Sequence, residues 1–286
     1  MQENTEVQLM GGLLEYSGLV AKSRAMRGRL LTREDFERIT EFQTVQEVIS
    51  FLREQESYGK VYGGREEIQH RGQVEELIYH SVKEDYRKLC RFGDESQRRA
   101  MKLYLEQLAL KEAPSEADIP YFVRAWEEIG DFSGKKMRRV LREIFGTQID
   151  WLNIMWIYRA KYFFHQEPRD IEGMLIPVCY KLRRKERQAL MESRQAEEFQ
   201  QILQGTSYYR GREALVKVQD EVSYRYVMRK MYRQICRKYP FSIAPVFYYL
   251  YEKELEAQYL TTAIEGVRYQ IPSKDIREMI LLHTSV

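Results

Sequence analysis

Glycine and proline are scarce, at 16 and 7 of 286 residues. Few natural breaks remain, which suits long helices joined by few turns. The three cysteines, Cys90, Cys179 and Cys236, stand far apart and form no Cys-x-x-Cys pair. Neither a disulfide framework nor a zinc site is encoded, and reduced thiols are expected. There is no strong charge of one sign: 46 basic residues oppose 43 acidic ones, for a formal net charge of +3. That balance argues against a dedicated nucleic-acid binder. The longest apolar runs, residues 242–251 and 149–158, are interrupted and about half the ~20 residues a membrane-spanning helix needs. Residues 2–8 are polar and do not read as a signal sequence.

Catalytic motifs are missing as well. Gly134-Lys135-Lys136 lacks the upstream glycine and the hydroxyl residue of a phosphate-binding loop, and no G-x-G-x-x-G occurs. Gly205-Thr206-Ser207 is not a nucleophile elbow. His70, His80, His165 and His283 have no second ligand at helical spacing, so no metal or cofactor is expected. Tyr158 and Lys161, one turn apart, read as an aromatic and a cation closing an amphipathic helix. The pairs Glu127-Glu128 and Glu197-Glu198 read as surface charge.

What is present is helical periodicity. The clearest helix is expected over 242–265. Ser242 would cap it, and Pro245 would lie in its first turn, where a missing N–H is tolerated. Phe247, Tyr251, Leu255 and Tyr259 recur every four residues. Glu252, Lys253 and Glu256 would form the wet side, and Gly266 would supply a left-handed end. A second helix is expected to start at Thr147, with Asp150 completing a capping box. Beyond it, Ile149 to Ile157 are apolar almost all round, as in a helix buried on most sides.

One pattern occurs three times. A helix ends in a basic residue, a short turn follows, and the next helix carries Asp in its first turn. The segments are Arg29-Leu30-Leu31 to Asp35, Phe36 and Ile39, with Thr32 as cap; Lys161 to Asp170, Ile171 and Met174, with Pro168 at the entrance; and Arg268-Tyr269 to Asp275, Ile276 and Met279, after Pro272-Ser273. The helix dipole favours both charges where they stand. A second likeness joins Glu47-Val48, Phe51-Leu52 and Ser57-Tyr58 to Glu198-Phe199, Ile202-Leu203 and Ser207-Tyr208.

The run 223–239 mixes tyrosine with arginine. Aromatics that stack on bases and arginines that bind phosphate make a helical-repeat RNA-binding protein the alternative reading. Helical phasing instead lines up Tyr224, Val227, Met231 and Ile235 as a packing stripe, with the arginines largely on the other side. The basic block 181–187 reads as a solvated or partner-facing helix. A helical enzyme would need a cluster of titratable groups that the sequence does not display.

Three collinear stretches resemble one family. Tyr16 followed by AKSRAMRGRLLTREDFERI at 21–39 is similar to the opening of the V-type and archaeal-type ATPase C subunit family, whose eukaryotic counterpart is called d. The positions Asp150, Asn153, Ile157, Arg159, Ala160 and Lys161 resemble its central helix. Pro240-Phe241, Lys253-Glu254, Glu256, Leu260, Ile264, Gly266 and Ile276 resemble its last helical pair. The resemblance implies an all-α fold of three similar helical modules with pseudo-threefold symmetry, forming a funnel. Approximate modules are 1–110, 111–215 and 216–286 of a single region 1–286. It further implies a non-catalytic central-stalk rotor subunit that couples the shaft of subunits D and F to the membrane rotor ring, for ATP-linked H+ or Na+ transport. Such a chain would be cytoplasmic, reach the membrane only through its partners, and bind no nucleic acid. Tyrosine and arginine are favoured at interfaces, so Arg225, Arg229 and Arg233 are the expected partner contacts.

Overall fold

The computed structural model describes residues 2–59, 71–110, 118–209 and 221–281, and the side chains of residues 15–59, 76–109, 119–209 and 224–280. The described residues form thirteen helices and no strand. In chain order these are α1 (Gln2–Arg27), α2 (Arg33–Ile39), α3 (Val45–Glu54), α4 (Arg71–Cys90), α5 (Glu95–Leu110), α6 (Asp118–Gly130), α7 (Lys135–Tyr162), α8 (Pro168–Gly173), α9 (Arg184–Glu192), α10 (Ala196–Gln204), α11 (Glu221–Lys238), α12 (Ala244–Arg268) and α13 (Ser273–Leu281). Two compact units emerge. Unit 1 joins Met1–Leu105 to Pro240–Val286, and unit 2 is Glu106–Tyr239. The module boundaries expected at 110/111 and 215/216 lie outside the described residues.

Each unit is built around one long helix that is buried on most sides. In unit 1 this is α12, which packs against α1, α2, α3, α4 and α13. Its apolar stripe includes Phe247, Leu250, Leu255, Tyr259 and Leu260, all buried. In unit 2 it is α7, which packs against α6, α8, α9 and α11. Its buried run takes in Ile149, Trp151, Ile154, Met155 and Ile157, as the all-round apolar pattern requires.

The short helices begin where their sequences say. Thr32 and Thr44 each accept from the third backbone N–H of the following helix, while Asp35 and Glu47 reach back to the cap amide. Such reciprocal boxes satisfy N–H groups that a helix start otherwise leaves unpaired. Pro168 opens α8, with Asp170 in its first turn, and Asp275 lies in the first turn of α13. The long helices begin differently from expectation. Thr147 is not a cap: α7 starts twelve residues earlier, at Lys135, and runs through it. Ile243 rather than Ser242 is the N-cap of α12, while the Ser242 hydroxyl accepts from the Ala244 amide at 3.2 Å.

Gly266 is not the left-handed end of α12 either. Gln270 takes that conformation, at φ 54°, and the Ile271 N–H returns to the Gly266 carbonyl at 2.9 Å. The end of α7 repeats this with His165 at φ 53°, where the Gln166 N–H returns to Ala160 at 3.0 Å. Gly266 serves close packing instead: a β-carbon there would lie 2.6 Å from Ile276 Cγ1. Gly146 does the same in α7, where a β-carbon would lie 2.4 Å from Cγ of Tyr180.

Alanine normally favours a helix over glycine by about 1 kcal/mol. At position 146 it meets the base of an aromatic ring, and overpacking costs about 1–3 kcal/mol. Gly146→Ala is therefore expected to destabilise the protein on balance, seen as a lower urea midpoint. An unchanged or higher midpoint would show that Tyr180 moves freely.

Candidate functional site

The central helices carry charge inside. In α12, Lys253 is fully buried, and Glu254 and Glu256 are nearly so. This overturns the expected wet side, of which only Glu252 is half-exposed. Each buried charge is matched. Lys253 Nζ lies 2.7 Å from Glu256 Oε1 and 3.8 Å from the centre of the Tyr58 ring. The Tyr58 hydroxyl donates to the same Oε1 at 2.7 Å, and the Leu31 N–H donates to Oε2 at 2.5 Å. Tyr104 donates to Glu254 at 2.6 Å. Tyr249, one turn before Lys253, donates to Asp85 of α4, which Lys88 also approaches at 2.7 Å.

Unit 2 repeats the device on α7. Asp150 accepts from the backbone N–H groups of Tyr180, Lys181 and Leu182 at 3.1, 2.7 and 2.8 Å, and from the Tyr208 hydroxyl at 2.6 Å. The correspondence is detailed. In each unit a buried carboxylate on the long helix takes backbone N–H groups, one for Glu256 and three for Asp150, from the turn that leads into a two-helix arm, α2–α3 or α9–α10. It also takes the hydroxyl of a tyrosine that follows the arm. The preceding serine closes the same turn: Ser57 Oγ donates to the Arg29 carbonyl at 2.5 Å, and Ser207 Oγ to the Lys181 carbonyl at 3.3 Å. Thr32 and Arg183 hold matching positions, their amides donating to Asp35 and Glu186 at 2.8 Å. The Ser-Tyr likeness in the sequence thus marks one repeat. The likeness of 161–174 to 268–279 marks another, at the ends of α7 and α12.

These groups are placed to hold shape. Burial raises the Asp150 carboxyl above its ordinary value, while Tyr208 and the three amides pull against it. Burial, and then the neighbouring carboxylate, push the Tyr208 and Tyr249 hydroxyls far above the ordinary phenol range. They stay protonated and donating near neutrality, unlike a general acid or base tuned to working pH.

The sequence-level candidates fall out as follows. Lys161 Nζ donates to the Met191 carbonyl at 2.6 Å, and Tyr158 is buried against Phe199. Arg183, Arg184 and Lys185 are exposed, but Arg187 of the same block is buried, with Nη1 3.5 Å from the Ile176 carbonyl. His70 and His283 lie outside the described residues, among which no cluster of three or more His, Cys, Asp or Glu could hold a metal. Cys90, Cys179 and Cys236 form no disulfide.

The arginines of α11, four residues apart, run along one side of the helix but differ in burial. The helix packs on α7 through Met228, Met231, Tyr232 and Ile235. Arg225 is half-buried, Arg229 is buried and Arg233 is exposed. The expected stripe lay about one position off, since Tyr224 and Val227 are only half-buried. Arg229 comes to the edge of the packed side because buried Tyr232, three residues on, is its neighbour on the helix surface.

A family model described as ATP synthase (C/AC39) subunit matches residues 19–113 and 110–279. No curated protein matches the chain.

Hydrogen bonds to charged groups contribute about 1.5–3 kcal/mol, and losing one partner of a buried ion pair costs about 3–5 kcal/mol. Tyr58→Phe and Tyr208→Phe are expected to cost similar amounts in the lower range, because they occupy equivalent positions. Lys253→Met is expected to cost more than either. Urea unfolding of the three variants checks the ranking. A silent Tyr208→Phe would mean that the amides alone hold Asp150.

Proposed function

The chain belongs to the ATP synthase (C/AC39) subunit family, a non-catalytic subunit family of V/A-type ATPase complexes, and from this premise we propose that it is a central-stalk rotor subunit. In this reading it couples a shaft of subunits D and F to the membrane rotor ring during ATP-linked H+ or Na+ transport. The observation that carries the reading is the family match, which runs through both units. The paired carboxylate latches suit it. A part that passes torque must resist shear between its helices, and buried charge-assisted bonds are short and directional.

We further propose the three-module arrangement, with modules near 1–110, 111–215 and 216–286 related by pseudo-threefold symmetry as a funnel. The recurrence of the latch and of the helix ends supports repeated modules, and their number is taken from the family resemblance. The subunit would act in the cytoplasm at the membrane face. No helix among the described residues is long and apolar enough to cross a membrane, so partners would provide the attachment. For docking through α11 we retain Arg225, Arg229 and Arg233. Arg233 is the outermost of the three, and rim charges tune association more than folding.

Affinity capture of the tagged full chain from gently solubilised membranes tests the reading. Shaft, ATPase head and ring are expected to come with it. Recovery of RNA without any ATPase subunit would favour the RNA-binding alternative. Arg233→Glu is the cleanest test of α11, because reversal at buried Arg229 would also disturb folding. It is expected to weaken shaft or ring binding on the order of tenfold. Unchanged binding to both would remove Arg233 from the contact surface.

A further inference from the structure

The basic block at 181–187 holds two cations that the fold does not use. Leu182 and Arg187 are buried in unit 2. Lys181 lies 3.7 Å from Glu143, and Arg183 donates to Glu186 from Nε and Nη2 at 3.0 and 2.6 Å. The side chains of Arg184 and Lys185 are exposed and make no ion pair or hydrogen bond among the described residues. They are the first two residues of α9, where the positive end of the helix dipole disfavours a cation. Glu186 is the one acid of that turn, and Arg183 already engages it. The other acids of the arm, Glu192, Glu197 and Glu198, sit at the turn that joins α9 to α10.

Both unspent cations line a groove of about 400 Å³ between α9 and α10. Arg183 and Glu186 share the lining with half-buried Ala189 and Ile202, which supply its apolar part. Stems of the basic side chains extend the apolar surface while their heads stay in water. Three cations there face one carboxylate.

We propose that this groove docks an acidic, amphipathic segment of a protein partner. Its carboxylates meet Arg184 and Lys185, and an apolar side chain between them enters against Ala189 and Ile202. Helix-in-groove recognition combines apolar anchors and charge in this way. The lining selects this occupant on charge and on shape. Loose cations attract any polyanion, but the apolar part has nothing to offer a phosphate. No aromatic side chain lines the groove, so bases find no stacking platform. An anionic bilayer is held by clusters of about four to eight basic residues, whereas two unspent cations flank a concavity here. The groove lies within unit 2, and its docking does not depend on the rotor reading.

The test titrates the full chain into a fluorescent peptide of glutamate with leucine at every fourth position. Two companion peptides carry lysine for glutamate, or serine for leucine. The glutamate–leucine peptide is expected to bind, and each companion to bind about tenfold more weakly or less. Raising the salt concentration is expected to weaken the binding. Arg184→Gln plus Lys185→Gln is expected to weaken it about tenfold. The same variant is expected to keep or raise the urea midpoint, because neutral residues suit a helix start better than cations do. A wild-type chain that ignores the acidic peptide, or that binds either companion equally well, overturns the inference. So does binding that survives the double variant. A lower midpoint would show the two cations answering the negative end of α10 instead, and overturns it too. If RNA oligonucleotide, phosphatidylserine vesicles or a second copy of the chain binds more tightly than the peptide through the same two residues, the groove belongs to that ligand and the inference fails.

Discussion

A carboxylate taken out of water must find donors, and much of this architecture follows from meeting that demand. Glu256 and Asp150 sit on helices that are otherwise surrounded by apolar side chains. A bare buried charge would cost several kcal/mol, so each draws in a turn, through one amide for Glu256 and three for Asp150, and a tyrosine, through its hydroxyl. The turn and the tyrosine flank a two-helix arm, and meeting the carboxylate therefore fixes that arm at both ends. Apolar packing alone tolerates sliding and repacking. The carboxylate sets a single register.

The same demand accounts for part of the tyrosine content, 21 residues in all. Tyr58, Tyr104, Tyr208 and Tyr249 each direct a hydroxyl at a buried acid. From the sequence, this surplus reads as interface material. In the fold these four are interior fittings, and the outward-facing Tyr269 is the kind of residue the interface reading had in mind. Charge behaves similarly. Interleaved acids and bases suggest solvated faces, yet Lys253 and Glu256 satisfy each other inside, three residues apart on one helix.

What could be read beforehand was local. The cap at Thr32, the proline opening α8 and the all-round apolar run in α7 depend on neighbours within a few residues, and they stand as expected. What was misread depends on distant partners. Thr147 and Asp150 have the spacing of a capping box, but Asp150 spends its oxygens on amides some thirty residues on. Gly266 looks like a helix terminator, but its missing side chain makes room for Ile276. Arg229 is buried against expectation because the packed stripe runs through Met228, Met231, Tyr232 and Ile235, further round the helix than a stripe phased from Tyr224 and Val227. The Ser-Tyr pairs and the like segments 161–174 and 268–279 are the long-range signals visible in the chain, the first because both copies hold the residues that close the latch.

The latch on Glu256 also sets a timetable. Its partners Leu31 and Tyr58 precede it by 225 and 198 residues. At a synthesis rate of about 5–20 residues per second, roughly 10–40 seconds pass between them. Unit 2, which is continuous in sequence, emerges whole within that interval. The helices α1 to α5 leave the ribosome with the place of α12 still empty, and their apolar faces wait in water for a helix not yet made. A nascent chain of this design stands to gain from a holding chaperone during that interval.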